Sequence, residues 1–133
     1  MAFYRTREGA VTAADSFTAL DSLYGQSTTA SVQVPSGSSQ IVGIIATVAQ
    51  DGATAGAATF AMQLSGDGLS SGQETIVFAS STNVGTETSD GQTNSPMTLD
   101  VAIPVVGSNQ VSIAVAMDAD LGSAQASVTL VFA

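Results

Sequence analysis

The chain has no cysteine, histidine, lysine or tryptophan. Without cysteine there is neither a disulfide framework nor a thiolate metal site, and no hint of a redox compartment. Without histidine, cysteine and lysine there is no Ser-His-Asp or Cys-His site, no lysine Schiff base and no His-rich zinc site. No Gly-x-Gly-x-x-Gly or Walker-type loop occurs, and no basic residue stands beside a glycine-rich turn to hold phosphate. The expectation is a protein that is not an enzyme.

Positive charge is nearly absent as well. Arg5 and Arg7 are the only cations, set against eleven carboxylates for a net charge of −9. Such a surface repels phosphate backbones and anionic headgroups, so neither nucleic acid nor a membrane surface is an expected partner. An acidic, lysine-free composition has two explanations. One is adaptation to high salt, the halophilic reading adopted here; the other is a GC-rich genome.

Long apolar runs are missing too. No stretch approaches the roughly 20 apolar residues that span a bilayer. Met1-Ala2-Phe3-Tyr4-Arg5 lacks the apolar run of a signal peptide, so use without Sec export is expected.

What the chain does have is rhythm. Its 133 residues suit one domain, residues 1–133, with enough apolar side chains for a real core. Ala30, Val32 and Val34 alternate with polar neighbours until Pro35. The same period of two runs through Ala58, Phe60, Met62 and Leu64, and through Met97, Leu99, Val101 and Ile103. It returns in Val111, Ile113, Val115 and Met117, and in Ala126, Val128, Leu130 and Phe132. This is the pattern of half-buried strands. Ile41 to Val48 is almost continuously apolar, and Thr75 to Ala79 is similar, which predicts strands covered on both faces, one side by a loop, an arm or a neighbouring subunit.

The punctuation agrees. Asp51-Gly52, Gly66-Asp67-Gly68, Ser71-Gly72, Asp90-Gly91, Gly107-Ser108-Asn109 and Leu121-Gly122 mark turns. Residues 80–96 form the longest polar stretch, a predicted surface loop. Asp15 to Tyr24 fits either a short helix with Phe17, Leu20 and Tyr24 on one face, or a strand. The fold class is all-β: an antiparallel β-sandwich of about eight strands, jelly-roll-like.

Three candidate sites follow from the residues. A pair of carboxylates could serve glycoside hydrolysis, but no tryptophan is available to stack on a sugar and both tyrosines lie in the N-terminal segment. Asp118 and Asp120 form an Asp-x-Asp at a strand end, the spacing of calcium ligands when a loop adds more oxygens, with Asp67 or Asp90 as helpers. The competing reading of that pair is a solvated hairpin turn, and no cofactor is expected otherwise. Phe3, Tyr4, Arg5 and Arg7 hold all the positive charge and two of the seven aromatics. They read either as a terminal strand or as a docking arm, residues 1–8, reaching onto an acidic neighbour.

The predicted outward strand positions are Ser, Thr, Ala and Gln, with Asp100 the main charge. Flat faces of this kind suit contact with other copies, because monomeric sheets defend themselves with Lys, Pro or inward charges.

With Val32-Gln33-Val34-Pro35-Ser36-Gly37, Leu64-Ser65-Gly66-Asp67-Gly68-Leu69 and Leu99-Asp100-Val101-Ala102-Ile103-Pro104, the chain resembles small jelly-roll virion structural proteins of icosahedral and tailed viruses, including those of salt-loving archaea. These segments are strand-and-turn motifs of low specificity, and the resemblance carries over no catalytic or ligand residue. It implies a capsid-associated subunit in the virion (decoration, turret or minor capsid) whose partners are copies of itself and other capsid proteins. The alternative is a carbohydrate- or receptor-binding β-sandwich module.

Overall fold

The computed structural model describes residues 2–11, 16–51, 56–83, 97–118 and 123–133. Eleven strands follow one another: β1 (Phe3–Val11), β2 (Thr18–Ala19), β3 (Ser22–Leu23), β4 (Gln26–Ser27), β5 (Ser31–Gln33), β6 (Gln40–Asp51), β7 (Gly56–Ser65), β8 (Gln73–Asn83), β9 (Met97–Pro104), β10 (Gln110–Met117) and β11 (Ser123–Phe132). All pairings between these strands are antiparallel.

One sheet runs β4-β3-β1-β11-β6-β9, and the other runs β2-β10-β7-β8 with β5 also on β10. β2 and β5 share one edge of β10, opposite Ala114–Val115 and Gln110–Ser112 respectively, so together they occupy a single strand position. Setting aside the small β3–β4 hairpin, β1-β11-β6-β9 faces β2/β5-β10-β7-β8. The first long strand lies beside the last, and the chain passes back and forth between the layers: a jelly roll. The count of eleven exceeds the predicted eight because the N-terminal third is cut into pieces of two and three residues.

Alternation places the core where the sequence predicts it. Ala58, Phe60, Met62 and Leu64 of β7 face Val128, Leu130 and Phe132 of β11 across the sandwich, joined by Val111, Ile113 and Val115 of β10; all are buried. Each large apolar side chain taken from water contributes about 1.5–3 kcal/mol.

The two continuous apolar runs have a different cause from the predicted double burial. In β6, Ile41 and Ile44 both point inward although they are three residues apart, because register shifts between Ile41 and Gly43 and between Val131 and Phe132 insert a bulge. A bulge exchanges the faces, so apolar residues must occur at both parities. Val42, Ile45 and Thr47 are only half-buried. β8 differs: Thr75 to Phe78 keep period two, with Ile76 against the core, Phe78 in it and Val77 standing outside, so the run is covered on one face only, and the shift in register falls between Val77 and Ala79.

Residues 16–24 are strand and turn, not helix. Leu20 is fully buried, whereas Phe17 and Tyr24 are exposed, so the three do not share one face. The predicted loop over residues 80–96 begins later than expected, since β8 continues to Asn83; residues 84–96 lie outside the described residues. At the turn after β7 a β-carbon on Gly66 or Gly68 would meet Gln110 O at 2.7 Å, so only glycine lets this turn pack against the start of β10.

Candidate functional site

The predicted arm is the first part of β1, paired with β11 from Phe3 opposite Phe132 to Val11 opposite Ala124. Residues opposite one another in an antiparallel pair share a face. Arg5 and Arg7 are opposite the buried Leu130 and Val128, so both arginines rise from the core side of the sheet. They emerge on the side of β1 that faces the short β5. Arg7 spends its donors there: Nε on Thr29 O at 2.7 Å and Nη2 on Ser31 O at 2.9 Å, with Nη1 on Thr6 O at 2.8 Å. Arg5 lies 6.0 Å from the Phe3 ring centroid and donates to Tyr4 O at 3.1 Å. Phe3 packs against the core. Tyr4 alone of the four points away from the body, with 60% of its surface exposed.

A second exposed aromatic was not singled out in the sequence. Tyr24 and Gly25 form the two-residue loop of the β3–β4 hairpin with φ of 52° and 75°. Positive φ at both positions defines a type I′ turn, whose favoured residues are Asn-Gly. A bulky side chain there costs about 1–3 kcal/mol. The turn is held by Glu8, whose Oε1 accepts the Tyr24 N–H at 2.8 Å, and by Ser22 Oγ, which donates to Glu8 O at 2.9 Å. The phenol itself is 87% exposed.

The outer faces differ in character. On the six-stranded sheet, register aligns Thr6 with Thr129 and Ile45, and Ser127 with Thr47. Thr6 and Thr129 hydroxyls bond at 2.7 Å, and Asp100 supplies a carboxylate towards the β9 edge. The five-stranded sheet carries an apolar groove of about 390 Å³ lined by Phe17, Thr59, Ala61, Val77, Ala116 and Met117, with Asp118 at its end. Val77 is 66% exposed and Phe17 40%. At the opposite end of β10 lies a polar hollow formed by Ser31, Asp67, Ser108, Asn109, Gln110 and Ser112.

Asp118 continues the β10–β7 ladder with its side chain. Its Oδ1 accepts the Thr59 N–H at 2.8 Å, while its own N–H donates to Thr59 O at 3.1 Å. Asp67 cannot assist it as a metal ligand, because the Asp67 turn packs on Gln110 at the far end of an eight-residue strand, about 25 Å away. Asp120 and Asp90 lie outside the described residues. Among the described residues no three acidic side chains gather where they could hold a metal ion, and no helix is long and apolar enough to cross a membrane.

No protein-family model matches the chain, and no curated protein matches it. Neither comparison supplies the viral family that the strand-and-turn segments resemble, nor a salt-loving one. Solved structures do match. Dimeric latent PorU from Porphyromonas gingivalis aligns with 98% of this chain at 16% identity and a TM-score of 0.46. The CBM22-1–GH10 modules of Clostridium thermocellum xylanase 10B, complexed with xylohexaose, align with 97% at 11% identity and a TM-score of 0.41. The infectious bursal disease virus Gx strain structure aligns with 96% at 14% identity and a TM-score of 0.27. The chain spans 13%, 26% and 37% of those chains respectively.

Proposed function

We propose that the chain is a non-catalytic structural subunit that assembles through its sheet faces and exposed aromatics into a protein shell, as a decoration, turret or minor capsid component of a virion. The observation that carries this reading is the placement of its only two tyrosines. Both are exposed, while the sheet between β1 and β9 presents hydroxyls and small apolar groups with little charge. Exposed tyrosines are anchors of protein interfaces, and depletion of charge marks the interface core. Stabilisation on assembly comes from apolar burial at about 25 cal/mol per Å², reduced by the cost of association. Electron microscopy of the native particle, with the chain located by a specific antibody, tests the proposal. Regular density for the chain on or in a shell supports it, and absence from every particle contradicts it.

A second reading, a carbohydrate-binding module, has one observation in its favour. The hollow at Ser31, Asp67, Asn109 and Gln110 offers hydroxyl, amide and carboxylate groups of the kind that bind polyols. It has no aromatic wall. Titration with a panel of soluble oligosaccharides decides this reading, and no heat of binding at millimolar sugar ends it.

A further inference from the structure

We propose that the hollow around Arg5 binds a carboxylate-bearing sugar, with the guanidinium taking the carboxylate and the neighbouring turns taking the hydroxyls. This goes beyond the assembly reading and does not rest on it.

Arg5 and Arg7 rise from the same face of β1, yet they are engaged differently. Arg7 gives Nε, Nη1 and Nη2 to backbone carbonyls. Among the described residues the one hydrogen bond of Arg5 runs from Nη1 to Tyr4 O, and its guanidinium carbon stands 6.0 Å from the Phe3 ring centroid. The cation–π contact steadies the side chain and leaves Nε and Nη2 as a donor pair. That edge of a guanidinium matches a carboxylate through two parallel hydrogen bonds.

Arg5 lines a hollow of about 450 Å³ whose other borders include Phe3, Gln33, Pro35, Ser36 and Ser108. That volume lies within the roughly 300–1,000 Å³ of small-molecule sites. The two serine hydroxyls and the Gln33 amide are neutral groups that donate and accept, as a polyol requires. Phe3 and Pro35 supply apolar walls for the C–H face of a ring. A fatty acid would leave the hydroxyls and the amide unpaired. An inorganic anion would leave Phe3 and Pro35 uncovered.

The turns are fixed in advance. Ser108 N–H donates to Val34 O at 2.9 Å, and Gln33 Nε2 donates to Ser108 O at 3.2 Å, which leaves the Gln33 amide oxygen as an acceptor. Ser108 is held at φ 71°, a conformation that glycine adopts freely; the serine there brings a hydroxyl. Ser108 also borders the Ser31–Asp67 hollow, so the two adjoin.

On a chain of net charge −9, an anion meets a cation here with no carboxylate lining the hollow among the described residues. No charged residue occurs between Asp21 and Asp51, the stretch that supplies Gln33 to Ser36. None occurs between Asp100 and Asp118, the stretch that supplies Ser108. Asp67 lines the adjoining hollow, and Glu8 belongs to the other face of β1. At 0.15 M salt the Debye length is about 8 Å, so more distant carboxylates are screened while a direct Arg5 contact is not.

The test follows the two arginine Nε–H signals of the nitrogen-15-labelled protein by magnetic resonance. Glucuronate, glucuronamide, glucose and acetate are titrated separately into the wild type. Glucuronate is expected to move the Arg5 signal saturably and to leave that of Arg7 in place. Glucuronamide and glucose keep the ring without the charge, and acetate keeps the charge without the ring; each is expected to bind about tenfold or more weakly. Arg5→Gln is expected to abolish the response of the Ser36 and Ser108 amides to glucuronate. Arg5→Lys, which lacks the planar fork, is expected to weaken it about tenfold; both variants are checked by thermal melting. An Arg5 signal that glucuronate leaves unmoved overturns the proposal. Acetate binding as tightly as glucuronate overturns the sugar assignment. Glucose binding equally well, with folded Arg5→Gln unaffected, overturns it in favour of neutral sugar in the adjoining hollow. None of these outcomes touches the assembly reading.

Discussion

Arg7 and Ser31 tie the two sheets together at the open side of the sandwich, through Nη2 to the Ser31 carbonyl at 2.9 Å. With the Thr29 and Thr6 carbonyls, one guanidinium serves three acceptors from two layers. Hydrogen bonds from a charged donor contribute about 1.5–3 kcal/mol each in favourable cases, less where water reaches them. Arg7→Ala is expected to lower stability by about 2 kcal/mol. Arg7→Lys is expected to recover little of it, because an ammonium lacks the planar fork. Denaturant melts of the three proteins check this, and equal midpoints would contradict it.

Removing residues 1–8 would leave the fold intact if they stood clear as an arm. Their place in β1, between β3 and β11, gives the opposite expectation. The truncated chain loses Phe3 from the edge of the core, loses the Arg7 bridge, and leaves most of one side of β11 without its partner. Loss of the cooperative thermal transition in circular dichroism is expected. A native-like melt would show that β1 is dispensable.

Val128→Asp and Ile113→Asp each place a carboxylate at a position with no exposed surface. An unpaired buried charge costs several kcal/mol, comparable to the whole stability of a small domain. Neither variant is expected to fold, and a normal melting curve for either would refute the registers of β10 and β11.

Eleven carboxylates against two arginines give a repulsive surface that salt screens. Lowering the ionic strength is expected to lower the melting temperature. A melting temperature independent of salt would favour genome composition as the origin of the acidity.

Much of this fold is legible from alternation alone. The inward sets of β7, β10 and β11 emerge residue for residue, since each of those strands keeps strict period two over its core positions. β6 departs from the expected double burial because a bulge breaks the period, and a bulged strand has the same apolar continuity as one covered on both sides, whereas in β8 an exposed valine, Val77, stands between inward Ile76 and Phe78. Nearness in sequence groups the four arm residues, whereas alternation divides them: Tyr4 outward, and Phe3, Arg5 and Arg7 inward. The Tyr24 hairpin left one trace, a glycine following an aromatic where a two-residue turn prefers Asn-Gly. The groove left none, because Phe17, Val77 and Asp118 meet only through the pairing of strands remote in the chain.

Sedimentation equilibrium of the wild-type chain, from micromolar to millimolar concentration at high salt, tests most directly whether this sandwich exists to contact its own kind. A weight-average mass that climbs above the monomer with concentration is the predicted result. A mass fixed at one chain over the whole range would contradict it.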